Sequence, residues 1–137
     1  MAEFDPRTDY PIGERRPDLV RTPRGLSVDE LTMENLRAGE IPEDEFRTAA
    51  PTLRLQAEVA RVANRGQLAD NLDRAAELAS IPDDIILEVY TALRPRRSSA
   101  GDLEEWAKAL EDRYDAPATA AMVREAAHAY AEQGLLV

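Results

Sequence analysis

The sequence has no cysteine, and His128 is the only histidine among its 137 residues. Without thiols the chain can form neither disulfides nor thiolate metal sites, and it has no cysteine nucleophile. A single imidazole cannot build a metal centre from several histidines. These absences exclude several classes of enzyme and agree with a soluble protein of the bacterial cytoplasm, which is what we expect here.

Long apolar runs and positive charge are also scarce. No apolar run approaches the ~20 residues that span a bilayer, and Met1 to Tyr10 lack the apolar core of a secretory signal. The 17 basic residues include one lysine, Lys108, and stand against 27 acidic residues, for a net charge of −10. Non-specific nucleic-acid binding depends on neutralising phosphates, which an acidic chain opposes. We therefore expect neither a membrane nor a nucleic acid as partner.

Aromatic residues make up only 5% of the chain, although apolar residues reach 44%. Much of this apolar content is alanine, which packs closely but removes little surface from water per residue. The length fits one domain. The sequence thus predicts a folded chain with a modest core, which a partner would support.

Six of the nine prolines lie within residues 1–51. Proline lacks a backbone donor and biases its predecessor towards extended conformations, so residues 1–26 cannot form a continuous helix or a central strand. We predict that residues 1–26 are an extended proline-rich arm that packs on a partner subunit, with disorder as the alternative. Residues 27–137 are predicted to form the helical domain.

The rest of the chain has helical periodicity and recognisable helix ends. Ser27 and Glu30 have the spacing of a capping box, Thr32 is a competing helix start, and Gly39 would end either helix. Five longer helices are predicted to begin near Pro51, Gly66, Pro82, Ser99 and Pro117, and the last to end at Gly134. The third of these should bury Ile85, Ile86, Val89, Tyr90 and Leu93. The predicted fold is all-α: helical hairpins, or a bundle of about five to six helices, beside the extended arm.

No set of residues in the sequence forms a self-contained active site, and we predict no catalytic, cofactor-binding or metal-ligating residue in this chain. His128 lies in the middle of a helix without an activating partner. Asp83 and Asp84 follow Pro82 at a helix start, where the helix dipole accounts for them. Arg124 and Glu125 are interpreted as an ion pair on a helix face.

The one basic cluster surrounds Pro95. Two interpretations stay open for it: binding of phosphate or of an acidic partner, or cations favoured by a helix C-terminus. Trp106 has helical spacing to Leu103 and Leu110, which predicts a place in the core or at a subunit interface. The residues predicted to form a subunit interface are Tyr10, Arg94, Arg96, Arg97 and Trp106.

Nine short segments carry a resemblance to a known family. They are Asp9-Tyr10-Pro11, Arg16-Pro17, Thr22-Pro23, Leu31-Thr32-Met33-Glu34-Asn35, Thr52-Leu53-Arg54-Leu55-Gln56-Ala57, Arg74-Ala75-Ala76-Glu77-Leu78, Ile81-Pro82-Asp83-Asp84, Tyr90-Thr91-Ala92-Leu93-Arg94-Pro95 and Val123-Arg124-Glu125-Ala126. Together, in order over residues 9 to about 131, they resemble the small (gamma) subunit of adenosylcobalamin-dependent diol/glycerol dehydratase.

The resemblance implies a heterohexamer of two large (alpha), two medium (beta) and two small (gamma) subunits. In that family adenosylcobalamin and an active-site metal ion are bound by the other subunits. A 1,2-diol or glycerol becomes an aldehyde and water through radical migration of a hydroxyl group. The resemblance implies no catalytic residue in the small subunit, and it does not choose between propane-1,2-diol, glycerol and other diols.

Only eight residues precede Asp9, and Pro6 interrupts them, which favours free cytoplasm over a microcompartment lumen. The alternative function is a free-standing helical adaptor that binds acidic or phosphorylated ligands through Arg94, Arg96 and Arg97.

Overall fold

The computed structural model describes residues 3–137, so the first two residues of the predicted arm lie outside the described part. The α-helices of this part are α1 (Ile12–Arg15), α2 (Met33–Arg37), α3 (Ala50–Val62), α4 (Gly66–Leu78), α5 (Asp83–Ala92), α6 (Ala100–Tyr114) and α7 (Pro117–Gln133). Short 3-10 turns lie at Pro17–Leu19, Val28–Glu30 and Glu43–Phe46. Residues 3–137 contain no strand beyond one isolated bridge between Arg21 and Ser27. The prediction of an all-α fold is confirmed.

The chain divides into two compact units, Met1–Ala79 and Ser80–Val137. Each unit contains one helical hairpin: α3 packs on α4 in the first, and α6 packs on α7 in the second. The predicted boundary at residue 26 concerned contact with a partner subunit, and it stays a prediction. No helix in residues 3–137 has the length and apolar character needed to cross a membrane.

The hairpin of the first unit is built on small residues. Ala57 and Ala60 of α3 and Ala69 of α4 are buried together, with Leu72 packed against them. Alanine at the contact allows two helices to approach closely, but each buried methyl group adds little hydrophobic stabilisation. The first unit therefore has the modest core that the composition predicts.

The arm has local order of its own. Ile12 is buried within the first unit, and the Arg16 guanidinium pairs with Asp9 and Asp18 at 3.0 Å each. A hydrogen bond to Asp18 and a second to Asp9 raise the pKa of Arg16 above its usual value. The helix α1 has only four residues, in keeping with the proline argument against a continuous helix.

Both of the helix starts weighed for residues 27–39 are used. The Ser27–Glu30 capping box closes the 3-10 turn Val28–Glu30, and the Thr32 hydroxyl accepts a hydrogen bond from the Asn35 N–H at 3.1 Å to cap α2. The chain leaves α2 through Gly39, whose φ of +73° suits glycine. The sequence signals were correct, but each serves a short element.

The helix ends of the second unit follow the predicted signals. Asp83 and Asp84 occupy the first turn of α5. The Ser99 hydroxyl accepts from the Asp102 N–H at 3.1 Å, and the Asp102 carboxylate accepts from the Ser99 N–H at 2.8 Å, which caps α6. At the C-terminus of α7 the backbone turns left-handed at Gly134 (φ +65°).

The α6–α7 hairpin holds the largest buried side chains of the second unit. Leu103, Ala107 and Leu110 of α6 are at most 1% exposed, as are Ala120 and Val123 of α7. The chain reverses between the helices through the left-handed Asp115 (φ +49°) and the buried Ala116. This interface is the core on which the geometry of the second unit depends.

Arg124 links the two helices of this hairpin on their outer side. Its guanidinium donates to the Glu104 carboxylate at 2.9–3.2 Å and to the Glu111 carboxylate at 2.6 and 3.0 Å. The predicted pair of Arg124 with Glu125 is wrong, because adjacent helix residues do not face each other. Hydrogen bonds from Arg124 instead lower the pKa of both Glu104 and Glu111.

The predicted buried face of α5 is partly wrong. Val89 is 3% exposed and Ile85 and Ile86 are half-buried, but Tyr90 is 48% exposed and Leu87 is 68% exposed. Successive helical residues are rotated by about 100°, so a helix packed on one side buries Val89 and turns Tyr90 outward. The helix α5 therefore has an apolar outer face as well as an inner one.

Candidate subunit interface

The basic cluster lies on a turn whose backbone is held at several points. The helix α5 ends at Ala92, and the Tyr130 hydroxyl of α7 donates to the Leu93 carbonyl at 2.6 Å. The Arg96 N–H donates to the Leu135 carbonyl at 2.7 Å, and the Ser98 hydroxyl donates to the Ala92 carbonyl at 2.8 Å. Tyr130 and Leu135, near the C-terminus, thus hold the backbone of this turn in place. We call residues 94–97 the arginine turn.

The side chains of the arginine turn are exposed. Arg94, Arg96 and Arg97 have no side-chain partner among residues 3–137, whereas Arg16 and Arg124 each hold two carboxylates. A guanidinium presents a planar fork of donors that matches a carboxylate or a phosphate. The arrangement is a fixed backbone with three cationic groups that are free to bind an external anion.

Arg97 and Trp106 lie together in a groove between α5 and α6. The groove encloses about 720 Å³, and its walls include Leu87, Ala92 and Ala109. Trp106 itself is half-buried and lines the groove. Two of the five predicted interface residues therefore share one concave surface.

The charged rim of this groove carries both signs. Arg97 and Arg113 line it together with Glu88, Asp102 and Glu105. Asp102 is occupied as the cap of α6, and hydrogen bonds from Ser99 lower its pKa. Tryptophan and arginine side chains dominate the affinity of many protein interfaces, so apolar walls with charges of both signs at the rim suit a protein partner.

Tyr10 lies in the first unit. Its side chain is 61% exposed and lines a hollow of about 1120 Å³ between the arm and the α3–α4 hairpin, beside Val59 and Leu68. An exposed tyrosine over an apolar hollow has the form of an interface contact. The structure thus distributes the predicted residues over two surfaces, one in each unit.

His128 lies on open surface, with its side chain 79% exposed and its Nε2 3.5 Å from the Glu132 carboxylate. Within residues 3–137 no three histidine, aspartate or glutamate side chains converge to hold a metal ion. His128 is therefore too exposed and too isolated to offer a prepared site to a metal ion or to the cobalt of adenosylcobalamin, and the residues present fit neither group.

Nothing in the sequence indicates that Glu45 is buried, but its side chain lies inside the first unit and the residue is only 2% exposed. Its Oε1 accepts from the Arg24 N–H at 3.2 Å, while its Oε2 has no partner in the described part of the chain. Glu45 connects the turn at residues 22–26 to the 3-10 turn Glu43–Phe46. Its neighbours Glu43 and Asp44 are exposed, so the acidic run gave no sign of the burial.

Comparison with known proteins extends over nearly the whole chain. Residues 6–137 match the model of a family described as dehydratase small subunit. The chain is 47% identical over 126 residues to a propanediol dehydratase small subunit of Citrobacter freundii. This match covers 92% of this chain and 73% of that protein. The chain is 45% identical over the same length, with the same coverage, to a propanediol dehydratase small subunit of Salmonella typhimurium.

Proposed function

Because this chain belongs to the dehydratase small-subunit family, we propose that it is the non-catalytic small subunit of a cobalamin-dependent diol dehydratase of the bacterial cytoplasm. The assembled enzyme converts a 1,2-diol or glycerol into an aldehyde and water. The similarity to two propanediol dehydratase small subunits supports this assignment. The large and medium subunits complete the complex, with two copies of each of the three chains.

Adenosylcobalamin and a metal ion belong to the other subunits in this proposal. When bound there, the cofactor supplies the radical that starts the migration of the hydroxyl group. The family match over residues 6–137 supports this assignment. The task of this chain is to hold the large subunit.

The arginine turn is the observation that carries the proposed binding role. Its backbone is set by bonds from Arg96 and Tyr130, so little backbone entropy is lost when the turn binds a partner. Arg94 directly follows the half-buried Leu93 and is the side chain best placed to pair with a carboxylate of the large subunit. Arg97 and Trp106 extend the contact into the groove between α5 and α6.

The substitution Arg94→Ala in the co-expressed complex tests this role. Removing one half of a buried interfacial pair typically costs about 2–5 kcal/mol, whereas an exposed pair costs about 0–1 kcal/mol. We expect the small subunit to dissociate during size exclusion, and more so at high salt. Arg54→Ala on α3, an exposed arginine without a side-chain partner among residues 3–137, is the matched control. Retention of the Arg94 variant equal to that of the wild-type chain at both low and high salt would contradict the role of Arg94.

The same three unpaired guanidinium groups favour a second candidate, an adaptor for phosphorylated ligands. An adaptor would be monodisperse and stable alone, and the purified chain would bind a phosphopeptide. A subunit would copurify with two larger chains. Copurification with phosphopeptide binding absent would exclude the adaptor.

A further inference from the structure

A second apolar surface lies outside the arginine turn and the groove. Five large apolar side chains between residues 28 and 46 are 39% to 62% exposed: Val28, Leu31, Met33, Leu36 and Phe46. None of the residues of α2 or of the 3-10 turn Val28–Glu30 is buried. Isolated exposed apolar residues are ordinary, but five within one short segment suggest an interaction surface. We call this segment the 28–46 surface.

Polar contacts, rather than apolar packing, order this segment. The Asn35 side chain donates to the Glu30 carbonyl at 2.8 Å, and the Asn35 carbonyl accepts from the Glu40 N–H at 3.0 Å. A helix of five residues is not stable by itself, so these bonds and the Thr32 cap maintain α2. Its apolar side chains contribute little inside this chain and are already positioned to bind another one.

Met33 and Leu36 are the centre of the 28–46 surface. They are three residues apart on α2 and so lie on the same side of the helix. Asn35 lies on another side, where it is half-buried and engaged with the backbone. Two adjacent apolar side chains on a fixed turn have the form of an anchor for an apolar socket.

The charges around this anchor indicate the nature of the partner. Four carboxylates have no side-chain partner among residues 3–137: Asp29, Glu34, Glu40 and Glu43. Arg37 is likewise without a side-chain partner, so unpaired negative charge predominates. A second copy of this chain would bring the same acidic surface and a further net charge of −10. Like charges oppose each other across an interface, so the partner is a different and basic chain.

From these observations we propose that the 28–46 surface docks on a basic surface with apolar sockets on the large dehydratase subunit. The proposal rests on the proposed function and adds a second contact that is separate in sequence from the arginine turn. Met33 and Leu36 fill the sockets, and the unpaired carboxylates face lysine or arginine side chains. The contact of the arginine turn has the opposite polarity, with cations on this chain.

The first experiment replaces the anchor in the co-expressed three-subunit complex, with an affinity tag on the large subunit. Met33→Asp with Leu36→Asp should reduce affinity at least about 30-fold, which corresponds to about 2 kcal/mol. The variant chain should therefore be lost on dilution while the wild-type chain is retained. Met33→Leu with Leu36→Met keeps the apolar volume and should restore binding. Unchanged far-UV circular dichroism of the free variant shows that folding is intact, as the exposure of both sites predicts.

The second experiment identifies the neighbour. A photo-cross-linking benzoylphenylalanine at position 33, in place of Met33, should join this chain to the large subunit, whereas the same group at the exposed Glu58 on α3 is the control. Cross-links from position 33 to the large subunit support the proposal. Cross-links only to the medium subunit or to a second copy, or none beyond the control, overturn it. If the wild-type chain does not copurify, the proposed function itself fails. If it copurifies and the aspartate variant does so equally well, only the docking surface is wrong.

Discussion

Leu110→Ala is the substitution whose effect follows most directly from the structure. Leu110 is 1% exposed and packs in the α6–α7 hairpin, where many of the neighbouring buried residues are alanines. Alanine side chains cannot rotate to refill a cavity. We therefore expect the free energy of unfolding to fall by an amount in the upper half of the usual range of about 2–5 kcal/mol. The stability of a unit the size of residues 80–137 is on the order of 3–9 kcal/mol. The substitution should therefore remove a third or more of it.

The single tryptophan makes this prediction easy to measure. Trp106 lies in the second unit, so its fluorescence during urea unfolding of the full chain follows that unit. Leu110→Ala should move the midpoint to a markedly lower urea concentration with the slope unchanged. Leu68→Ala, at a half-exposed leucine of the first unit, is the matched control and should leave the midpoint in place. A cost below about 1 kcal/mol for Leu110→Ala would refute the packing described for the hairpin.

Two further predictions concern charge and catalysis. Arg124 holds the pKa of Glu104 and Glu111 below the usual 4.5, so these groups stabilise the fold above that pH and lose their effect as pH falls through the lowered values. With Arg124→Gln, the urea midpoint followed by Trp106 fluorescence should therefore fall less steeply between about pH 6 and pH 3. An unchanged fall would contradict the pairing of Arg124 with Glu104 and Glu111. His128→Ala should leave aldehyde formation by the assembled complex within about threefold, a barrier change below ~1 kcal/mol. A hundredfold loss in an intact complex would assign His128 a role in the reaction.

Helix ends were predictable because their signals are local. Pro82 before two aspartates, Ser99 with Asp102, and Gly134 each set the backbone within a single turn. Such signals need no knowledge of what packs against the helix. The all-α fold and the long helices therefore followed from the sequence.

Pairing between elements was not predictable in the same way. The partners of Arg124 lie 13 and 20 residues away in the sequence, on a helix whose register against α7 depends on the whole hairpin. Tyr90 has the apolar character of a core residue, but the packing of α5 turns it outward. Glu45 stands in a run of acids, and only the tertiary fold buries it.

The candidate interface was predictable in part. The arginines around Pro95 stand out in an acidic chain, and Trp106 is the single tryptophan. Their meeting in one groove, and the anchoring of the turn by Leu135, depend on contacts across the second unit. The 28–46 surface gave no signal at all, because Met33 and Leu36 have the same spacing that a buried helix face would show.

The most direct test of the central claim is native mass spectrometry of this chain co-expressed with a large and a medium dehydratase subunit. We expect a single complex that contains two copies of each chain and forms aldehyde from a 1,2-diol only when adenosylcobalamin is added. A complex of large and medium subunits alone, with this chain free, folded and monomeric in the same sample, would contradict it.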